Sequence, residues 1–191
     1  GFGRTGDHMW GFEADGVVRV ELGLTVERWQ LNYTVRWGTR LDLNLAIENL
    51  ADKPRECEVA LHTYLSLADV HTASVSGLEQ QSHLDKLTGM TQSASGQAIR
   101  FTQETDRIYH GQVPEVLIYD PGHHRQIRLL PRNAHSTVVW NPWINKSQRM
   151  SDFGDDEYLR MCCVETANVG SGRLHVLPHT TASIGCTYLN V

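Results

Sequence analysis

Apolar and polar side chains alternate along most of this chain. Residues 17–22 (Val-Val-Arg-Val-Glu-Leu) and 31–37 (Leu-Asn-Tyr-Thr-Val-Arg-Trp) do so, and Leu41, Leu43, Leu45 and Ile47 oppose Asp42, Asn44 and Glu48. A period of two puts one face of a strand on a core and leaves the other wet or paired. The same reasoning predicts strands from Cys57 to Leu67 and at 70–76, 98–103, 115–120, 125–131, 135–140, 172–177 and 181–189. Turn chemistry separates them: Asn49 to Pro54, the Ser/Thr/Gln/Gly-rich run from Gly89 to Gly96, Pro121-Gly122 and Pro131-Arg132-Asn133. Only Ser147 to Tyr158 reads as helical or irregular, with Gly154 interrupting it. Many closely spaced strands and hardly a helix predict an all-β, antiparallel sandwich or barrel, with residues 1–191 forming a single domain.

Composition narrows the function classes. Of the 191 residues 40% are hydrophobic and 20% charged, with a formal net charge of −5. That balance fits a globular protein, and with no basic run it gives no reason to expect nucleic acid or an anionic membrane as partner. No apolar run approaches the ~18 residues needed to span a bilayer, and no leader-like start is present, so the cytoplasm is the expected location. The four cysteines, Cys57, Cys162, Cys163 and Cys186, show no CxxC spacing and read as buried free thiols.

Two proton-transfer groups stand inside strand-like runs. His62, in Ala60-Leu61-His62-Thr63-Tyr64, has the near-neutral pKa of an acid/base, although a histidine in a strand is more often structural. Glu165, in Cys163-Val164-Glu165-Thr166-Ala167, is a carboxylate in an apolar segment. It must be paired, hydrogen-bonded or raised in pKa, which suits either a structural ion pair or a general base. Asp106 and Arg107 form a charged patch that reads on composition as a solvated loop. Trp140 and Trp143 flank Asn141-Pro142 and could stack on a sugar or belong to the core. Arg4 is a candidate anion binder. The pair His123-His124 and the acidic cluster Asp152, Asp155, Asp156 and Glu157 lack metal-ligand spacing, and no GxSxG, P-loop or HExxH motif occurs.

Taken in order, several segments resemble one family. They are Gly1-Phe2-Gly3-Arg4-Thr5, Ala60 to Tyr64, Val75-Ser76-Gly77-Leu78-Glu79, Glu104 to Tyr109, Val138 to Trp143, Met150 to Tyr158 and Cys163 to Val169. Together they are similar to the D-hexose-6-phosphate mutarotases (glucose-6-phosphate 1-epimerases) of the aldose 1-epimerase superfamily. The resemblance implies a galactose-mutarotase-like super-sandwich and interconversion of the α and β anomers of a hexose 6-phosphate, without metal or organic cofactor. It matches His62 to the family's general acid, Glu165 to its general base, Asp106 to a substrate-binding aspartate and Arg4 to an arginine that holds the substrate. The implied partner is a small sugar phosphate, and the chain is expected to be a monomer or weak homo-oligomer. Three positions depart from the pattern: Gln80 for glycine, His83 for tyrosine and Leu65 for phenylalanine. The family's N-terminal portion, with a histidine just before Gly1 and a further arginine, is expected to be missing. The alternatives to an enzyme are a non-catalytic sugar-phosphate binder and an inactive truncated relative.

Overall fold

The computed structural model describes residues 8–12 and 16–191. In chain order the strands are β1 (His8–Phe12), β2 (Val18–Val26), β3 (Trp29–Trp37), β4 (Leu41–Asn49), β5 (Arg55–Cys57), β6 (Val59–Leu61), β7 (Tyr64–Ser66), β8 (Ser74–Ser76) and β9 (His83–Asp85). They continue with β10 (Met90–Gln92), β11 (Ile99–Arg100), β12 (Thr105–His110), β13 (Val116–Asp120), β14 (Arg125–Arg132), β15 (Ser136–Asn141), β16 (Met161–Asn168), β17 (Leu174–Val176) and β18 (Thr181–Asn190). The α-helix α1 (Trp143–Ser147) and a 3-10 turn at Glu157–Arg160 fall where the alternation fails.

Two antiparallel sheets carry the fold. A nine-stranded sheet runs β1-β2-β3-β4-β18-β14-β13-β8-β11, and a seven-stranded sheet runs β10-β9-β12-β15-β16-β6, with β7 also on β16. Strands β5 and β17 pair separately. The sheets face each other across one apolar layer. The larger contributes Leu43, Val75, Ile118, Leu129 and Ile184, and the smaller contributes Leu61, Val139, Cys162 and Val164. Burying each such branched side chain is worth roughly 1.5–3 kcal/mol. Tyr188 on β18 spans the layer, its hydroxyl donating to the Val164 carbonyl of β16 at 2.9 Å. The wing formed by β2 and β3 is only half covered, with no fully buried residue on either strand.

Local chemistry explains the bends. At the expected turn after β4, buried Asn49 donates to the carbonyls of Lys53 (2.8 Å) and Val176 (3.0 Å) and accepts from the Ala51 amide (3.0 Å). Gly77 stands at φ +96°, where a Cβ would meet the Glu115 carbonyl at 2.5 Å, so only glycine fits that step of Val75-Ser76-Gly77-Leu78-Glu79.

The single strand expected from Cys57 to Leu67 is three short pieces. Strands β6 and β7 keep one register on β16, Leu61 opposite Thr166 and Tyr64 opposite Cys163, with the ladder interrupted at His62 and Thr63. Continuing that register sets His62 opposite Glu165. The expected strands at 70–76, 98–103 and 172–177 shrink to β8, β11 and β17. The patch read as a solvated loop at Asp106 is strand β12, β10 arises in the run from Gly89 to Gly96 read as a loop, and β9 arises where no strand is predicted. Strand β12 reads poorly because its charged side chains meet Lys86, Lys146 and Tyr109 and do not form a clean wet face. No helix among the described residues is long and apolar enough to cross a membrane.

Candidate active site

Strand β16 is buried at every position, because both its faces are covered. Cys162 and Val164 point into the layer between the sheets. Met161 and Cys163 point the other way, packing with Trp140 under Met150 and Phe153. Glu165 follows Cys163 by two residues and therefore shares that outer face. Pairing carries the row sideways: Tyr64 lies opposite Cys163, Cys163 opposite Trp140, and Trp140 opposite Asp106. The Lys86 amide extends the ladder by donating to the Asp106 carbonyl at 2.9 Å. Residues distant in sequence thus converge because partners in an antiparallel ladder point to one side.

At the centre, His62 Nε2 lies 3.6 Å from Glu165 Oε1. The imidazole is half exposed, whereas the carboxyl side chain is only 5% exposed. The ring stacks on half-exposed Tyr64 (centroids 4.9 Å apart, 16° between planes) and meets Trp140 edge-on at 5.8 Å. Its other nitrogen, Nδ1, lies 3.6 Å from Cys163 Sγ. Burial pushes the Glu165 carboxyl up to about 7, the negative charge of Asp106 adds to the rise, and Lys86 opposes it. Burial also lowers the His62 imidazole below its ordinary value, against the upward pull of Asp106. Burial thus raises the carboxyl and weakens the imidazole, so each environment disfavours the charged form of its own group.

Asp106 occupies the next part of the same face, its side chain 13% exposed and 3.8 Å and 3.9 Å from the Lys86 and Lys146 ammonium groups. Lys146 also lies 5.6 Å from the Trp140 ring centre and 3.4 Å from Glu104. The cover over the site is tied down by buried Asn141. Its amide donates to the Tyr158 and Met161 carbonyls (2.9 and 2.8 Å), and its oxygen accepts from the Trp143 amide at 2.9 Å.

Of the residues singled out in the sequence, His62, Glu165 and Asp106 come together, and Trp140 borders them. Trp143 does not: it packs on the inter-sheet core and against Tyr158 and His71. Arg4 lies outside the described residues. Cys163, Tyr64 and Lys86 join the site unannounced, because only ladder register reveals that they share its face, and α1 brings Lys146 to it. His62, Cys163 and Glu165 are the one group of three metal-capable side chains found among the described residues, with donor atoms within 4.8 Å of one another. Sulfur and carboxylate approach different nitrogens of one ring, an arrangement that suits a hydrogen-bonded chain better than chelation.

Fold and sequence together define a class. The chain belongs to the aldose 1-epimerase family, whose model matches residues 18–188. It is 32% identical over 154 residues to a Cenchrus ciliaris protein and 31% identical over 160 residues to an Escherichia coli K12 protein, both bearing the name "Putative glucose-6-phosphate 1-epimerase". Those matches take in 78% and 81% of this chain but 47% and 54% of the relatives, so it spans about half the length of the curated proteins it matches. Among solved structures, a Salmonella typhimurium protein described as a "putative mutarotase (YeaD)" superposes with a TM-score of 0.83 at 22% identity, over 95% of this chain and 64% of that one. A galactose mutarotase related enzyme from Lactobacillus acidophilus matches at 0.70 and 12% identity, over 100% of this chain and 73% of that one. The fold is the galactose-mutarotase-like sandwich that the sequence resemblance implies.

Proposed function

We propose that the protein interconverts the α and β anomers of a hexose 6-phosphate, glucose 6-phosphate first among them, by acid/base opening and closing of the sugar ring. The observation that carries this reading is the buried Glu165 carboxyl 3.6 Å from the half-exposed His62 imidazole. Ring opening must remove a proton from the C1 hydroxyl and deliver one to the ring oxygen. Glu165, with its carboxyl near 7, takes the first, and His62 Nε2 gives the second. Rotation about C1–C2 presents the other carbonyl face, and the reverse transfers close the ring as the other anomer. The lowered pKa of His62 makes its protonated form a stronger acid. Asp106 accepts hydrogen bonds from sugar hydroxyls, and half-exposed Tyr64 offers its ring to sugar C–H groups. Arg4 is assigned to holding the substrate from the sequence resemblance alone. The substrate class rests on the names that the curated relatives carry.

Anomer exchange of α- and β-D-glucose 6-phosphate, followed by exchange NMR, tests the proposal. The wild-type chain is expected to exceed the spontaneous rate, and His62→Ala and Glu165→Gln are each expected to lower the acceleration ~10²–10⁴-fold. Catalysis that survives both substitutions would remove the pair from the mechanism. The alternative carried by the same resemblance is a sugar-phosphate binder without turnover. Saturable binding with no rate enhancement in the wild type would select it.

A further inference from the structure

We infer that Cys163 is a positioning residue for His62: its thiol donates to Nδ1 and keeps the imidazole's proton on Nε2, the nitrogen facing Glu165 and the open side of the site. This rests on the reading of His62 and Glu165 as a proton shuttle.

The contact follows from the ladder. Cys163 and Glu165 are two residues apart on β16 and face the same side, and His62 continues the register of β6 and β7 opposite them. The imidazole bridges the two side chains, Nδ1 at 3.6 Å from Sγ and Nε2 at 3.6 Å from Oε1. Its other neighbours, Tyr64 and Trp140, fix the plane of the ring but give no hydrogen bond to Nδ1. Among the described residues the thiol is therefore the side chain that distinguishes one ring nitrogen from the other. It has no exposed surface, and burial together with the neighbouring Glu165 charge holds its pKa far above the ordinary thiol range. The sulfur keeps its proton and acts as donor. A neutral imidazole that accepts at Nδ1 must carry its own hydrogen at Nε2. That hydrogen faces Glu165 Oε1, and in the protonated ring it is the same Nε2–H that His62 gives to the sugar ring oxygen. When Nδ1 of His62 gains a proton, the thiol hydrogen rotates away and Nδ1–H donates to sulfur, a weak acceptor, which keeps the imidazolium a willing donor.

Two measurements test the inference. A two-bond proton–nitrogen NMR spectrum of the wild-type chain above the His62 titration is expected to show Nε2–H, with an Nδ1 resonance displaced upfield of a free pyridine-like nitrogen by the thiol it accepts from. In Cys163→Ala that resonance is expected to return toward the free position. In the anomer-exchange assay, Cys163→Ala is expected to lower kcat about tenfold, the worth of one hydrogen bond, with KM within about twofold. Cys163→Ser, which restores a donor, is expected to recover most of the loss, whereas Cys163→Val is not. A proton on Nδ1 in the wild type, an Nδ1 resonance unmoved by Cys163→Ala, or equal rates in the Ser and Val variants would overturn the inference. If the wild type does not catalyse anomer exchange at all, the functional proposal falls and the spectrum alone still decides the thiol's role.

Discussion

Glu165 illustrates how one side chain links stability to chemistry. Its carboxyl is pushed from an ordinary 4.5 to about 7 by burial, so folding favours the protonated form. Below pH 4.5 the folded and unfolded chains both hold the proton and the group adds no pH dependence. Between 4.5 and 7 the unfolded chain releases it first. Stability then falls by about 1.4 kcal/mol per pH unit, reaching about 3 kcal/mol above pH 7. Glu165→Gln lacks this penalty. Urea melts from pH 4 to 8 are expected to show the variant gaining about 3 kcal/mol on the wild type across that window. A constant difference at all pH values would contradict a raised carboxyl. The identity of this residue as unusual was legible in the sequence, since a carboxylate in Met161-Cys162-Cys163-Val164 demanded some compensation. That it stands beside His62 was not, because 102 intervening residues separate the two.

Individual elements owe their form to a few polar knots as much as to alternation. Asn141 ends β15 and ties α1, the Glu157–Arg160 turn and the start of β16 together through three hydrogen bonds at 2.8–2.9 Å. Asn141→Ala would strand two buried carbonyls and an amide, costing about 2–3 kcal/mol. A melting temperature lower by roughly 5–10 °C is expected for a chain of this size. The same substitution should loosen the cover containing Phe153 and Met150 over Trp140 and Cys163. Unchanged melting would mean that these bonds are replaced by water. Alternation located β2, β3, β4, β14, β15 and β18 to within a few residues, because each has one face on the inter-sheet core or its margin. It overextended the His62 strand and missed β9 and β12. Asp85 of β9 and Asp106 of β12 are partnered by turn amides and by Lys86 and Lys146, so neither element alternates cleanly, and a two-residue gap in pairing leaves no mark on hydrophobicity.

At the scale of the whole molecule, two sheets share one apolar layer, and Tyr188 is the polar tie that crosses it. Tyr188→Phe removes that bond while conserving the ring. It is expected to cost about 1 kcal/mol, a drop of about 2–4 °C in the thermal midpoint, with anomer exchange unaffected because the hydroxyl lies on the core side of β16. A larger loss of activity than of stability would mean that the two faces of β16 are coupled. By itself the sequence determined the all-β class, because side-chain period is local, and it determined the family, because the motifs stand in order along the chain. It also named His62, Glu165 and Asp106 as candidates, by residue type or by resemblance. Only the tertiary structure decided that these three share a face with Tyr64, Trp140 and Cys163 while Trp143 goes to the core. Ladder register, set by pairing between distant strands, chooses which side each residue points to, and a shift of one residue would have reversed every one of those assignments.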